Sequence, residues 1–192
     1  MVAGRKLICA LAVVALAAGG CGGDDSSDGP EESADKPARP DPGWRTVRNA
    51  EAGFTISVPR RWSAGVERGA TLIRSPDELV VITLAADRSQ SARDLEPETY
   101  ARRTLAALPG FEGSVDESPP VRPSPYRNAR VDGVGSVETS RRPQRLTVVA
   151  FTRPGRVTYA AVIFRNPRVD PRFHESRLLR ILSSFRAQPG SG

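Results

Sequence analysis

One cysteine of this chain stands where it could take part in chemistry. Cys21 follows three small residues, Ala18-Gly19-Gly20, which end an apolar run from Leu7 to Ala18. Arg5 and Lys6 precede that run. A basic start, a short apolar centre and a small-residue end are typical of a secretory signal peptide. The run is too short for a helix that crosses a bilayer, which needs ~20 apolar residues.

The segment Ala18-Gly19-Gly20-Cys21 resembles a bacterial lipobox, in which the cysteine sulfur receives a diacylglyceryl group before the signal is cut. The resemblance implies that residues 1–20 are a lipoprotein signal peptide and that Cys21 is the lipidation site. Two or three acyl chains give stable attachment, whereas one chain does not. We therefore predict a protein anchored to the extracytoplasmic face of the cell membrane without crossing it. The alternative is an ordinary secretory signal with an incidental cysteine.

The one histidine, His174, is the second residue that could do chemistry. Asp170 and Glu175 lie beside it and could complete a hydrolase triad. No G-x-S-x-G nucleophile motif occurs in the chain, and Gly135-Ser136 lacks that pattern. His174 also falls in the first turns of a predicted helix, next to Phe173. We predict no catalytic residue and no enzyme activity, and a hydrolase that uses His174 is a secondary alternative.

Metal and cofactor sites are not predicted. No cluster of histidine and cysteine occurs, and the acidic Asp24, Asp25 and Asp28 fall in a segment too flexible to hold coordination geometry. The glycines around Cys21 are not a phosphate loop, because no strand precedes them and no Gly-Lys-Ser/Thr follows. The chain is therefore expected to bind neither a metal ion nor a cofactor.

Composition divides the rest of the chain at residue 42. Gly22–Pro42 contains no aromatic residue and no Val, Ile, Leu or Phe, and its net charge is −5. Together with Cys21 it is predicted to be a disordered acidic tether, with a reach of about 25 Å. We predict one folded domain over residues 43–187 and a disordered tail over 188–192.

The predicted domain is strongly basic. Residues 43–192 contain 24 arginines and 15 carboxylates, a formal net charge of +9. Such a domain is attracted to an anionic membrane or wall polymer. No nucleic-acid recognition motif accompanies the charge, so nucleic acid is not an expected partner.

Hydrophobic periodicity predicts strands in both halves of the domain. The predicted strands are Trp44–Val47, Phe54–Val58, Thr71–Arg74, Leu79–Ala86, Asn128–Thr139, Leu146–Thr152 and Arg156–Phe164. Pro154-Gly155 indicates a hairpin between the last two. Asp132-Gly133 is consistent with either a hairpin turn or a bulge within one long strand, and we favour the single strand.

Two segments have helical periodicity. The first begins near Glu96-Pro97 and ends before Pro109-Gly110, and the second has Asp170 as cap and Pro171 at its first position. Each helix has one apolar face and can cover one face of a sheet. The predicted order is strands, helix, strands, helix.

That order and two sequence segments resemble the PsbP-like α/β-sandwich group. Gly53–Trp62, GFTISVPRRW, is similar to the group's first strand and Pro-x-x-Trp exit, and Leu178–Phe185 to its last helix. The resemblance implies an α+β fold with a single curved antiparallel sheet flanked by two helices. It also implies a non-catalytic role, since members of the group are mostly binding or assembly factors.

These observations predict a non-enzymatic, membrane-anchored lipoprotein of the cell envelope. Its partner would be an envelope protein or an anionic envelope polymer. An alternative is a carrier of a lipid or other apolar ligand held between the sheet and the C-terminal helix. Trp44 and Trp62 could line a ligand cleft there, although packing in the core or at an edge is the simpler use of both.

Overall fold

A computed structural model describes residues 42–138, 140–153, 157–166 and 171–188. Ten strands and three helices follow one another along this part of the chain. The strands are β1 (Trp44–Asn49), β2 (Phe54–Pro59), β3 (Ser63–Glu67), β4 (Ala70–Arg74), β5 (Val80–Asp87), β6 (Glu112–Ser118), β7 (Arg127–Val137), β8 (Ser140–Arg153), β9 (Val157–Arg165) and β10 (Arg186–Ala187). The helices are α1 (Gln90–Arg93), α2 (Pro97–Ala106) and α3 (Pro171–Ser183).

The strands form two antiparallel sheets. The small sheet has the order β1-β2-β10, and the large sheet has the order β3-β4-β5-β9-β8-β7-β6. The expectation of a single curved sheet is therefore wrong. Pro59 ends β2, the chain turns at Trp62, and β3 then joins the edge of the large sheet instead of extending the small one. The alternation of apolar residues predicts strands but not which sheet each strand joins.

Both predicted long helices are present, and they cover opposite faces of the large sheet. The predicted order of strands, helix, strands, helix is confirmed. α3 and the small sheet pack on one face, where the larger hydrophobic core lies. α2 packs on the other face over a second core around Leu105, Leu146 and Val148. No helix in the described ranges is both long and apolar enough to cross a membrane.

β7 is one continuous strand, as we favoured. Asp132 and Gly133 pair with Thr147 and Leu146 of β8 with no break in the ladder. The register shifts later, between Gly135 and Val137. Asp132-Gly133 is thus neither a hairpin turn nor a bulge.

The last two predicted strands also pair as expected. β8 and β9 form an antiparallel pair that begins at Arg153 and Val157. The predicted turn at Pro154-Gly155 and the predicted cap Asp170 lie outside the described residues.

Candidate functional site: a tryptophan–arginine cleft

The structure brings together the two tryptophans that the sequence suggested for a cleft. Trp44 begins β1, and Trp62 follows the end of β2. Both line an open recess of about 580 Å³, which we name the Trp–Arg cleft. Its lining residues are Gly43, Trp44, Pro59, Arg60, Arg61, Trp62, Ser75, Pro76, Asp77 and Arg177. Trp62 is only 3% exposed and belongs to the core, so it packs in the core and also lines the cleft.

Backbone hydrogen bonds hold the wall of the cleft that carries the tryptophans. The amide of Arg60 donates to the carbonyl of Gly43 at 2.9 Å, and the amide of Trp62 donates to Pro59 at 2.9 Å. The guanidinium of Arg45 donates to the carbonyl of Trp62 at 3.0 Å. These bonds fix the turn between β2 and β3, so this wall of the cleft is preformed.

The opposite wall is the turn between β4 and β5. The amide of Ser75 donates to the carbonyl of Val80 at 3.0 Å, and the amide of Val80 donates to the Ser75 hydroxyl oxygen at 3.0 Å. That hydroxyl donates to the carboxylate of Asp77, which also accepts from the amide of Leu79 at 3.2 Å. The turn is therefore closed by its own side chains.

The cleft carries more positive than negative charge. Arg60, Arg61 and Arg177 are exposed around it, and Asp77 is the one carboxylate in its lining. Beside it, the guanidinium of Arg180 lies 4.3 Å from the centroid of the Trp44 ring. Guanidinium groups bind phosphate and carboxylate with paired hydrogen bonds, and tryptophan rings supply apolar contact area. The cleft can therefore hold an anionic group that has an apolar part.

Neither predicted chemical residue is placed in this cleft. Cys21 lies outside the described residues, so its lipidation stays a prediction. His174 occupies a position in the first turn of α3, and its side chain is outside the description. Its neighbour Glu175 is already engaged, because its two carboxylate oxygens accept from Arg130 and Arg165. That use of Glu175 argues against a triad with His174.

Glu175 belongs to an ion cluster that sequence analysis did not find. Arg130 and Asp132 of β7 and Arg165 of β9 lie on the sheet face under α3 and meet Glu175 there. Arg165 is 3% exposed and donates to the hydroxyl of Thr147 at 2.8 Å. The sequence could have indicated the burial of Arg165, because in β9 it lies on the same face of the strand as the buried Ala161 and Ile163.

Burial and charge act in opposite directions on the pKa values of this cluster. Burial raises the pKa of Asp132, but hydrogen bonds from Ser118 and Thr147 and the charge of Arg130 outweigh it and keep that pKa below its usual range. Burial lowers the pKa of Arg165 in spite of the nearby carboxylates of Asp132 and Glu175. The ion pairs of this cluster connect α3 to the large sheet, so the role of the cluster is structural.

A second recess lies near the start of α2. It is an open groove of about 1050 Å³, which we name the proline groove. Its lining residues are Glu96, Pro97, Glu98, Pro120, Val121, Arg122, Pro123, Ser124, Tyr126, Arg127, Asn128 and Ala129. The pairing of β6 with β7 ends at Ser118 and Arg130, so residues 127–129 pair with β8 only. The lining of the groove therefore includes a short stretch of β7 that no second strand of the described residues joins, and there the Asn128 side chain exchanges hydrogen bonds with the backbone of Val121.

The space between the large sheet and α3 is filled by side chains. The ring of Phe185 lies 4.8 Å from that of Phe151 and 4.9 Å from that of Tyr159, measured between centroids. A cavity of about 10 Å³ beside Arg165 and Leu178 lies between α3 and the sheet, enough for about one water molecule. This packing argues against the alternative of an apolar ligand held under the C-terminal helix.

The described residues offer no group of three or more histidine, cysteine or acidic side chains that could hold a metal ion. The Trp–Arg cleft has one carboxylate among its arginines, a poor donor set for a cation.

Comparison with known proteins gives similarities in structure alone. No model of a protein family matches the chain, and no curated protein sequence matches it. The Ran-binding protein Mog1p of Saccharomyces cerevisiae is similar over 75% of this chain and 95% of its own, with 9% identity and a TM-score of 0.51. Cyanobacterial PsbP (CyanoP) from Synechocystis is similar over 78% of this chain and 95% of its own, with 10% identity and a TM-score of 0.50.

Two further structures are similar at lower TM-scores. LpqN of Mycobacterium tuberculosis, described as involved in cell envelope biogenesis, matches over 76% of this chain and 91% of its own, with 16% identity and a TM-score of 0.48. A structure from Bacteroides thetaiotaomicron matches with 12% identity and a TM-score of 0.47 over 77% of this chain, which spans 49% of that protein's length. At these identities the similarities define the fold alone. The chain contains a domain with a PsbP-like fold.

Proposed function

We propose that this protein is a membrane-anchored extracytoplasmic lipoprotein with a non-enzymatic, accessory role in the cell envelope. In this role its basic domain binds an anionic envelope component through the Trp–Arg cleft. The observation that carries the proposal is the cleft itself, which is lined by three exposed arginines together with two tryptophans. Arginine and tryptophan are the side chains most enriched among residues that dominate binding energy at interfaces.

The predicted lipid anchor would place the binding of the anionic component at the membrane surface. Gly43, which lines the cleft, follows directly after the predicted tether of residues 22–42. A tether of about 25 Å reach would keep the cleft close to the envelope surface. Arginines gain favourable energy near such an anionic surface, about 1 kcal/mol for each well-placed side chain.

The proline groove favours a second candidate, the binding of a protein partner. An extended segment of a partner can add to an open sheet edge through main-chain hydrogen bonds. The groove offers a stretch of β7 that no second strand of the described residues joins, at residues 127–129, with Arg122 and Glu98 also in its lining. Mog1p, described as a Ran-binding protein, is an example of a similar fold in a binding role, but the proposal rests on the groove and not on that similarity.

One experiment with two readouts tests the proposal. Cells that express the full chain are fed labelled palmitate, and a photo-reactive residue replaces Pro76 in the cleft, Arg122 at the groove or Val134 on an uncovered part of β7. We expect palmitate in the protein and membrane fractionation that resists high salt, both lost in Cys21→Ser, because salt screens any remaining attraction of the arginines to the membrane. We expect specific cross-links at position 76 and few at position 134.

Each readout can contradict a different part of the proposal. Salt-resistant membrane fractionation that persists without palmitate in Cys21→Ser would contradict the lipid anchor. Equal cross-linking at positions 76 and 134 would contradict binding at the cleft. Cross-links to a protein at position 122 alone would favour the second candidate.

A further inference from the structure

We propose that the Trp–Arg cleft docks onto the anionic phospholipid surface of the membrane that holds the predicted anchor. This inference rests on the proposed function and names the anionic component as phospholipid headgroups. The domain would then lie on the bilayer in one orientation, with the cleft facing the lipid. Three features support this docking: the position of the cleft, the charges of Arg60 and Arg61, and the tryptophans.

The position of the cleft puts it at the end of the domain that an anchor reaches first. Gly43 and Trp44 line the cleft and are the first residues after the predicted tether. Trp44 pairs with Pro59 at this end of the small sheet, and Asn49 pairs with Phe54 at the other end. Six residues of strand separate the two ends by about 17 Å. The tether therefore restrains the cleft end of the domain more closely than the opposite end.

Some arginines elsewhere in the described domain are neutralised in ion pairs. Arg102 pairs with Glu98 and Glu117. Arg127 pairs with Glu96, and the cluster around Arg165 holds two arginines against two carboxylates. In contrast, no ion pair involves the exposed Arg60 or Arg61 within the described ranges. These two adjacent guanidinium groups are therefore available to phosphate at a lipid surface.

The tryptophans distinguish a lipid surface from a soluble anionic polymer. Tryptophan is enriched at membrane–water interfaces because its ring is apolar and its N–H is polar. Trp44 is half-buried in the lining of the cleft, and the Arg180 guanidinium lies 4.3 Å from its ring centroid. This arrangement lets Trp44 reach the acyl boundary while the arginines contact headgroup phosphates. A polymer of soluble phosphates would use the arginines alone.

Intrinsic fluorescence reports on this cleft directly, since the chain contains two tryptophans and both line it. The test uses the chain from residue 21 onward with Cys21→Ser, which keeps the acidic tether but has no lipid of its own. It is mixed with vesicles of phosphatidylglycerol and phosphatidylcholine in equal parts, or of phosphatidylcholine alone. Binding is measured by flotation, and contact with lipid by quenching with brominated phosphatidylglycerol.

We expect binding to the phosphatidylglycerol vesicles with quenching of tryptophan fluorescence, and little binding to phosphatidylcholine. The double variant Arg60→Glu/Arg61→Glu should bind at least about tenfold more weakly, because two attractive charges become repulsive. The matched control Arg93→Glu/Arg103→Glu makes the same change in net charge at exposed sites away from the cleft. It should keep most of the affinity. Circular dichroism verifies that all variants are folded.

Three results would overturn the inference. The first is equal loss of binding in both double variants, which would show general charge attraction. The second is binding without quenching, which would place the tryptophans away from the lipid. The third is displacement by millimolar glycerol phosphate with the same affinity as vesicles, which would show a site for soluble phosphate. The protein in this test has no lipid group. A failure to bind vesicles would therefore contradict docking through the cleft, whereas a failure of palmitate labelling would contradict the lipid anchor.

Discussion

At the scale of single residues, the most constrained side chain is the guanidinium of Arg165. The Arg165 side chain taken by itself is 4% exposed, and its Nε is buried without a hydrogen-bond partner in the described part of the chain. Its other nitrogens are held by Glu175 at 3.0 Å and Thr147 at 2.8 Å. A buried charge is costly unless carboxylates and hydroxyls compensate for it. Two carboxylates, Asp132 and Glu175, compensate for both Arg165 and Arg130.

This balance predicts that Asp132→Asn destabilises the fold. The variant leaves Arg130 and Arg165 with one carboxylate, and breaking a buried pair costs about 3 kcal/mol of unfolding free energy. Chemical denaturation at pH 7 measures the loss. Glu67→Gln on the exposed strand β3, at the opposite edge of the large sheet, is the matched control and should change stability little. A loss below about 1 kcal/mol in Asp132→Asn would contradict this account.

The same carboxylate sets a pH dependence. The pKa of Asp132 is lower in the folded protein than its ordinary value of 3.8, so the unfolded chain takes up the proton first as the pH falls. The contribution of Asp132 is therefore complete above pH 3.8 and is lost as the pH falls through its folded pKa. Asp132→Asn should make the stability less dependent on pH in this acid range, whereas Glu67→Gln should retain the contribution of Asp132 to that dependence.

At the scale of elements, helix α2 lies directly on a glycine of β7. A Cβ built on Gly133 would lie 2.9 Å from Cδ2 of Leu105 and 3.1 Å from the carbonyl oxygen of Ser114. The glycine thus permits the close approach of α2 to the sheet.

We predict that Gly133→Ala lowers the free energy of unfolding by about 1–3 kcal/mol, the usual cost of overpacking. Gly65→Ala in β3 is the matched control, because its added Cβ has no atom within 4 Å. Thermal unfolding of the two variants measures the difference. Equal melting temperatures would show that α2 moves away from β7 without cost.

The elements that the sequence predicts are those with apolar alternation or helical periodicity. β2 and β5 alternate buried and less buried positions, and α2 and α3 each have one apolar face. β3 and β6 were not predicted, because nearly all their side chains are exposed edge positions with no apolar pattern. The Trp–Arg cleft could be suggested only by its tryptophans. Arg60 and Arg61 adjoin Trp62 in sequence, but Arg177 reaches the cleft from α3, and periodicity does not predict which side chains meet through such tertiary packing.

At the scale of the whole molecule, one side chain connects both sheets and α3. Phe185 follows α3, is 1% exposed and contacts Phe54 of the small sheet at 5.6 Å between ring centroids. It also contacts Phe151 of the large sheet at 4.8 Å and Tyr126 at 5.4 Å. Because β10 pairs with β2 directly after Phe185, the end of the described chain joins the two layers. The sheets should therefore unfold as one cooperative unit.

Phe185→Ala tests that cooperation. Removing a buried phenylalanine costs about 3–5 kcal/mol, a large part of the about 5–15 kcal/mol that usually stabilises a domain. Phe185→Leu keeps most of the apolar volume and should lose less stability, while Phe111→Ala, on the α2 face, is a control outside the junction.

Tryptophan fluorescence reports the small-sheet end, and far-ultraviolet circular dichroism reports mainly the large sheet. In the native protein both probes should follow a single transition. Two separate transitions there would show that the sheets are independent units and that Phe185 does not couple them.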